Sequence, residues 1–150
     1  MGTIEGSKDG LRLCWGPGHR PDPDRERLMV GLMSGTSCDG ISAALVAIRG
    51  RGKERKIQLI AHHELPFDAE TKEAIAGVFP PHLYSAYHYS RLQVTLARLF
   101  ARAATEVINK AGAKPEQVLA ISMQGITLYH DPPSDRNQNQ GIHFEMGDPA

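Results

Sequence analysis

The run Ser34-Gly35-Thr36-Ser37-Cys38-Asp39-Gly40 carries the densest set of chemically capable groups in this chain. Its two glycines let the backbone turn sharply and approach an anion closely. Ser34, Thr36 and Ser37 offer hydroxyl donors, and successive N–H groups in a turn form an anion-holding nest. Asp39 adds a carboxylate able to hold Mg2+ directly or through water. Apolar runs flank the segment, residues 28–33 before it and 41–48 after it. Together these are the parts of a polyphosphate-binding turn between two strands.

Other chemistries fit the same residues less well. Gly35 and Gly40 have the spacing of a Walker A loop, but Ile41 stands where its lysine belongs and residues 41–48 read as a strand rather than a helix. Gly35-Thr36-Ser37 looks like a serine-nucleophile segment of the subtilase type, which needs an aspartate and a histidine upstream; only a tail lies upstream here. Cys38 as a nucleophile needs a neighbouring base that the sequence does not supply. A tight hairpin that binds nothing is the plainer alternative. Among the histidines, adjacent His62 and His63 point to opposite faces of a strand. His82 and His88 lack the i,i+4 spacing of a helical zinc pair. His130 and His143 can be brought together by the loop between them, as a solvated pair. No metal cluster is expected.

The elements that position the turn follow from periodicity. Residues 28–33 form a continuous apolar run, the pattern of a strand buried on both faces. Residues 41–48 and 57–63 read as the next two strands, with the charged stretch 49–56 as a solvated loop, so the three make an antiparallel meander. That loop has no aromatics among its charges, which argues against nucleic acid as its partner. Asp68 caps a helix over 69–79 that Pro80-Pro81 stops. A second helix runs over 85–111 with Gly112 just past its end. Leu92, Leu96, Leu99, Phe100, Ala103 and Val107 recur on it at spacings of three and four, a core-facing stripe. Residues 118–123 and 126–129 read as strands interrupted at Gly125, residues 131–141 as a loop, and residues 142–146 as a last strand. The expected fold class is α/β, a mixed sheet opened by a three-stranded meander.

The arithmetic is compatible with that fold. The chain has 150 residues, 17 basic and 17 acidic side chains, zero formal net charge and 41% hydrophobic residues. It is long enough for one domain with its own core. Zero net charge argues against an electrostatic footprint for nucleic acid or anionic lipid. No apolar run approaches the ~18 residues of a membrane span. Cys14 and Cys38 cannot make a disulfide framework and fit a reducing, cytoplasmic compartment. Residues 1–27, rich in glycine and proline, read as a disordered tail, with 28–150 as the folded domain.

At this point a family resemblance emerges. Gly31-Leu32-Met33-Ser34-Gly35-Thr36-Ser37-Cys38-Asp39-Gly40-Ile41 resembles the opening motif of the anhydro-N-acetylmuramic acid kinases. Residues 90–103 resemble the family's long helix, and residues 119–130 stand in the place of its Ser-His-Gly-Gln-Thr segment. Met146-Gly147-Asp148-Pro149-Ala150 resembles its Ile-Gly-Asp-Pro-Ala. The resemblance implies a ribonuclease H-like or actin-like ATPase lobe, with ATP and Mg2+ as cofactors and a 1,6-anhydro amino sugar as substrate. It implies that water attacks C1 of the sugar while O6 takes the γ-phosphoryl group, giving N-acetylmuramic acid 6-phosphate in cell-wall turnover. On the same footing, Gly35, Thr36, Ser37, Cys38, Asp39, Gly40, Ile41 and Ser42 would hold the phosphates, with Asp39 linked to the metal. Gln124, Gly125 and Thr127 would meet the sugar.

There are departures from the family pattern. Ser42 stands where the family usually has an aspartate, Gln124 replaces its histidine and Ile126 its glutamine. The family's catalytic aspartate and adenosine-binding segments are expected beyond Ala150, so no catalytic residue is assigned and Asp148 reads as a turn residue. Two functions follow: the N-terminal lobe of an anhydro-sugar kinase, or a non-catalytic nucleotide-binding or interaction module. An incomplete core would expose apolar surface, from which self-association is expected.

Overall fold

The computed structural model describes residues 3–7, 10–14, 22, 24–79 and 84–147. Strands β1 (Thr3–Ser7) and β2 (Gly10–Cys14) pair with each other, apart from the main sheet. That pairing lies inside the stretch read as disordered, and the alternation of Leu11-Arg12-Leu13 is the local pattern that favours it. The main sheet is built from β3 (Arg27–Met33), β4 (Gly40–Arg49), β5 (Lys56–Pro66) and β6 (Val118–Gln124), in the order β5-β4-β3-β6. The first three form the antiparallel meander, and β6 joins β3 in parallel, so the sheet is mixed as expected. A parallel partner needs a long crossover. The helices α1 (Ala69–Ala76) and α2 (Ala86–Lys110) provide it. Strands β7 (Ile126–Asp131) and β8 (Ile142–Met146) make a separate hairpin.

Both helices contribute to one core. Leu92, Leu96, Phe100, Ala103 and Val107 of α2 pack with Val30, Leu32, Ile41, Ala43 and Leu45 of the sheet and with Ile75 after Asp68. Burying each large aliphatic or aromatic side chain is worth roughly 1.5–3 kcal/mol, and the stripe read from the sequence is the face that is buried. Helix α2 ends as its sequence dictates: Gly112 has φ +67, its N–H donates to Asn109 C=O, and Ala113 N–H donates to Ile108 C=O. These are the paired bonds of a Schellman ending. Helix α1 starts at Asp68, whose Oδ1 accepts from Thr71 N–H at 2.7 Å. It stops three residues short of the expected end, because the chain tightens there into Val78 N–H to Ile75 C=O and Phe79 N–H to Ala76 C=O bonds. Pro80-Pro81 and His82 lie outside the described residues.

The strand expected to be buried on both faces is buried on one. Val30 and Leu32 face the helices, whereas Gly31 and Met33 are exposed. The cause is one-sided packing: both helices cover the same face, and no described element covers the other. Both sheet edges likewise show apolar side chains, Ile57, Leu59 and Ile60 on β5 and Leu119 and Ile121 on β6. Among the described residues, no helix is long and apolar enough to cross a membrane.

Candidate functional site

The parallel pairing of β3 with β6 is what assembles the site. It sets Met33 beside Gln124, and Ser34 N–H continues the contact by donating to Gln124 C=O at 3.3 Å. The bend after β3 and the start of β7, about ninety residues apart in sequence, therefore share one end of the sheet. Between them lies a cavity of about 300 Å³, lined by Ser34, Gly35, Thr36 and Cys38 on one side and Gln124, Ile126 and Thr127 on the other, with Phe79 closing it. That volume is at the small end of the range for ligand sites.

The bend itself is held from below. Ser34 is buried, and its hydroxyl donates to Gly40 C=O at 2.9 Å, tying the two ends of the bend together. Cys38 N–H closes a turn onto Gly35 C=O at 3.0 Å, and Phe67 N–H donates to Asp39 C=O at 2.9 Å. Among the described residues, the amides of Gly35, Thr36 and Ser37 have no acceptor within the chain. All three residues are exposed. Unpartnered consecutive N–H groups at a cavity mouth are the donor set of an anion nest.

The two glycines work differently from the sequence expectation. Neither has a positive φ; the left-handed position is Cys38, at φ +50. Gly40 is required by close packing, since a Cβ there would lie 2.7 Å from Leu65 C=O. Gly35 faces open space, with nothing nearer to its missing Cβ than Ser37 Oγ at 3.8 Å. One glycine therefore serves the fold, and the other leaves room at the mouth of the cavity.

The remaining residues assigned from sequence fall in several places. Ser37 and Asp39 are exposed and are not among the residues that line the cavity; Ser37 Oγ donates to Asp39 Oδ1 at 2.9 Å. Ile41 is wholly buried in the core, so only its backbone is available to a ligand. Ser42 lies on the open face of the sheet, where its hydroxyl donates to Glu64 Oε2 at 2.9 Å. Gly125 is buried where a side chain would collide with Met146 C=O, which makes it a packing glycine. Thr127 and Gln124 do line the cavity. The Cys38 thiol is pushed up from its ordinary pKa, first by burial and then by the nearby Asp39 charge, which keeps it a protonated wall group rather than a nucleophile.

Some residues escaped the sequence reading. Glu145 Oε1 accepts from Thr127 Oγ1 at 3.4 Å and so steadies the cavity wall. Gln93 on α2 accepts from Gly147 N–H at 2.8 Å, fastening the end of β8 over Phe100. Gly147 has φ +109, and its Cβ would lie 2.7 Å from the Phe100 ring, so its place in the Met146-Gly147 pair is sterically fixed. Period-two alternation places Glu145 on the face of His143, but only the β7–β8 register reveals its partner Thr127. Asp148 lies outside the described residues. His62 and His63 take opposite faces as expected, His62 toward Glu64 and His63 toward Glu106 of α2.

Comparison with known proteins bears on the family. The sequence model of the anhydro-N-acetylmuramic acid kinase family matches residues 27–150. A protein of that name from Caldanaerobacter subterraneus is 38% identical over 127 residues, covering 83% of this chain and 32% of the relative. One from Bacillus thuringiensis is 37% identical over 122 residues, covering 81% of this chain and 32% of the relative. A third, from Vibrio parahaemolyticus, is 37% identical over 108 residues, covering 72% and 28%. The chain spans about a third of the length of these relatives.

Proposed function

Since the chain belongs to the anhydro-N-acetylmuramic acid kinase family, we propose that its bend at Gly35–Ser37 holds the phosphates of ATP for transfer to a 1,6-anhydro amino sugar. The observation that carries this reading is the set of unpartnered amides at Gly35, Thr36 and Ser37, the first two of which line a cavity whose far wall is Gln124 and Thr127. Such amides neutralise phosphate charge without reorganising, and phosphoryl transfer depends mainly on positioning and charge neutralisation. Asp39 accepts from Ser37 through Oδ1 alone, so its other oxygen is available to a cation. Mg2+ bound with a polyphosphate typically takes one or two carboxylates and keeps several waters, and Asp39 fits that need. ATP would supply the phosphoryl group and the driving force. Thr127 and Gln124 would orient the sugar hydroxyls across the cavity. The lobe would then be of the actin-like ATPase type, with Mg2+-ATP and an amino sugar as its ligands.

The test is a titration of the 15N-labelled chain with Mg-ATP. Shifts centred on Gly35, Thr36 and Ser37 are expected, with affinity about tenfold weaker in Asp39→Ala, which corresponds to about 1.4 kcal/mol. Shifts confined to another surface would refute the assignment. A second reading, a nucleotide-binding module without turnover, is favoured by Ser42 bonding to Glu64 on the open face, away from the cavity. Robust sugar-dependent ADP release would exclude the second reading.

A further inference from the structure

Beyond the cavity wall at Thr127, the hairpin of β7 and β8 brings together two histidines that the proposed site does not use. Its register pairs Thr127 with Glu145 and, past a bulge between Thr127 and Tyr129, His130 with His143. In a regular strand, residues 127 and 130 would face opposite sides. The extra residue of the bulge re-aims His130 onto the side of Thr127 and Glu145. His143 Nε2 then lies 2.8 Å from Glu145 Oε1, and His143 Nδ1 lies 3.3 Å from His130 Nδ1.

Proton accounting gives this row a direction. A carboxylate oxygen accepts, so in the 2.8 Å contact the donor is His143 Nε2, and His143 Nδ1 is the ring nitrogen that faces His130. The Thr127 hydroxyl donates to the same oxygen, Glu145 Oε1, at 3.4 Å and steadies the carboxylate there. An imidazole whose second N–H is held by a carboxylate is the arrangement that orients metal-binding histidines and raises their basicity. Two imidazole nitrogens on one tetrahedral zinc ion, each at ~2.0–2.1 Å, stand about 3.3 Å apart. His130 and His143 already have that separation. Both residues are exposed, their rings meet edge to face at 78°, and no described residue shields them from an ion in solution.

We propose that His130 and His143, with Glu145 behind His143, form a two-histidine site for a borderline divalent cation such as zinc. The ion binds between the two Nδ1 atoms, where the rings otherwise share a hydrogen bond. His130 shifts its proton to its other ring nitrogen and stays neutral. Among the described residues, no group of three His, Cys, Asp or Glu side chains is placed to hold a metal. The protein therefore supplies two ligands and water the rest, so binding is weaker than in a closed four-ligand site.

The experiment is calorimetric titration of the tag-free chain with zinc chloride, alongside long-range 1H–15N spectra of the histidine rings. One zinc per chain is expected, with the Nδ1 resonances of His130 and His143 moving together. Affinity falls at least tenfold in His130→Ala and in His143→Ala, and about tenfold in Glu145→Ala, which retains both ligands. Circular dichroism checks that the variants fold, and His130→Gln serves if an alanine does not. Wild-type zinc affinity in the His130→Ala/His143→Ala double variant would overturn the assignment, as would zinc-dependent shifts confined to His62, His63 or His88.

Discussion

Gly35 and Gly40 belong to one motif, yet alanine at each should do opposite things. At Gly40 the new Cβ would lie 2.7 Å from Leu65 C=O and 3.0 Å from Pro66 Cα, both backbone atoms of the neighbouring strand. Neither can move without disturbing the β4–β5 ladder, so the expected loss is about 1–3 kcal/mol. Each kcal/mol lowers Tm by about 2–4 °C in a chain of this size. At Gly35 the Cβ enters open space at a φ that L-residues adopt. There the unfolded chain loses freedom without native strain, for an expected gain of up to about 1 kcal/mol. If the bend holds phosphates as proposed, the same methyl would crowd an oxygen approaching the amides. Losing one charge-assisted hydrogen bond costs about 1.5–3 kcal/mol, or roughly ten- to a hundredfold in affinity. Thermal denaturation followed by circular dichroism reads the first effect, and titration of both variants with Mg-ATP reads the second. A Gly35→Ala protein that is stable and binds Mg-ATP as wild type does would refute the phosphate assignment. A Gly40→Ala protein as stable as wild type would refute the packing argument.

Two further outcomes test the scaffold. Leu96 is wholly buried at the middle of α2; Leu96→Ala should cost about 2–5 kcal/mol in urea unfolding, and a change near zero would mean that α2 does not dock on this core. The Asp68 carboxyl is held below its usual pKa, chiefly by the Thr71 amide. Its stabilisation is present above the unfolded-state value of about 3.9 and is lost as pH falls through the lower folded value. Asp68→Ala should flatten that acid limb and speed hydrogen exchange at Thr71; an unchanged limb would count against the cap.

The local elements were legible because their causes are local. The apolar spacing on α2, the Asp68 cap, Gly112 and the strand patterns depend on residues within a few positions of one another, and each element forms where its pattern lies. The candidate phosphate segment was legible for the same reason, since Ser34–Gly40 holds its glycines, hydroxyls and carboxylate side by side. What the sequence could not decide was which distant segments meet. The parallel register of β3 on β6 makes Gln124 and Thr127 the far wall of the cavity opposite Gly35. The one-sided packing of both helices turns a run of continuous apolar residues into a half-exposed strand. The bulge in β7, which aims His130 at His143, has no signature in either segment alone. Chain pattern fixes backbone conformation through short-range sterics and burial, whereas juxtaposition is settled only when non-local contacts choose the register and the packed face.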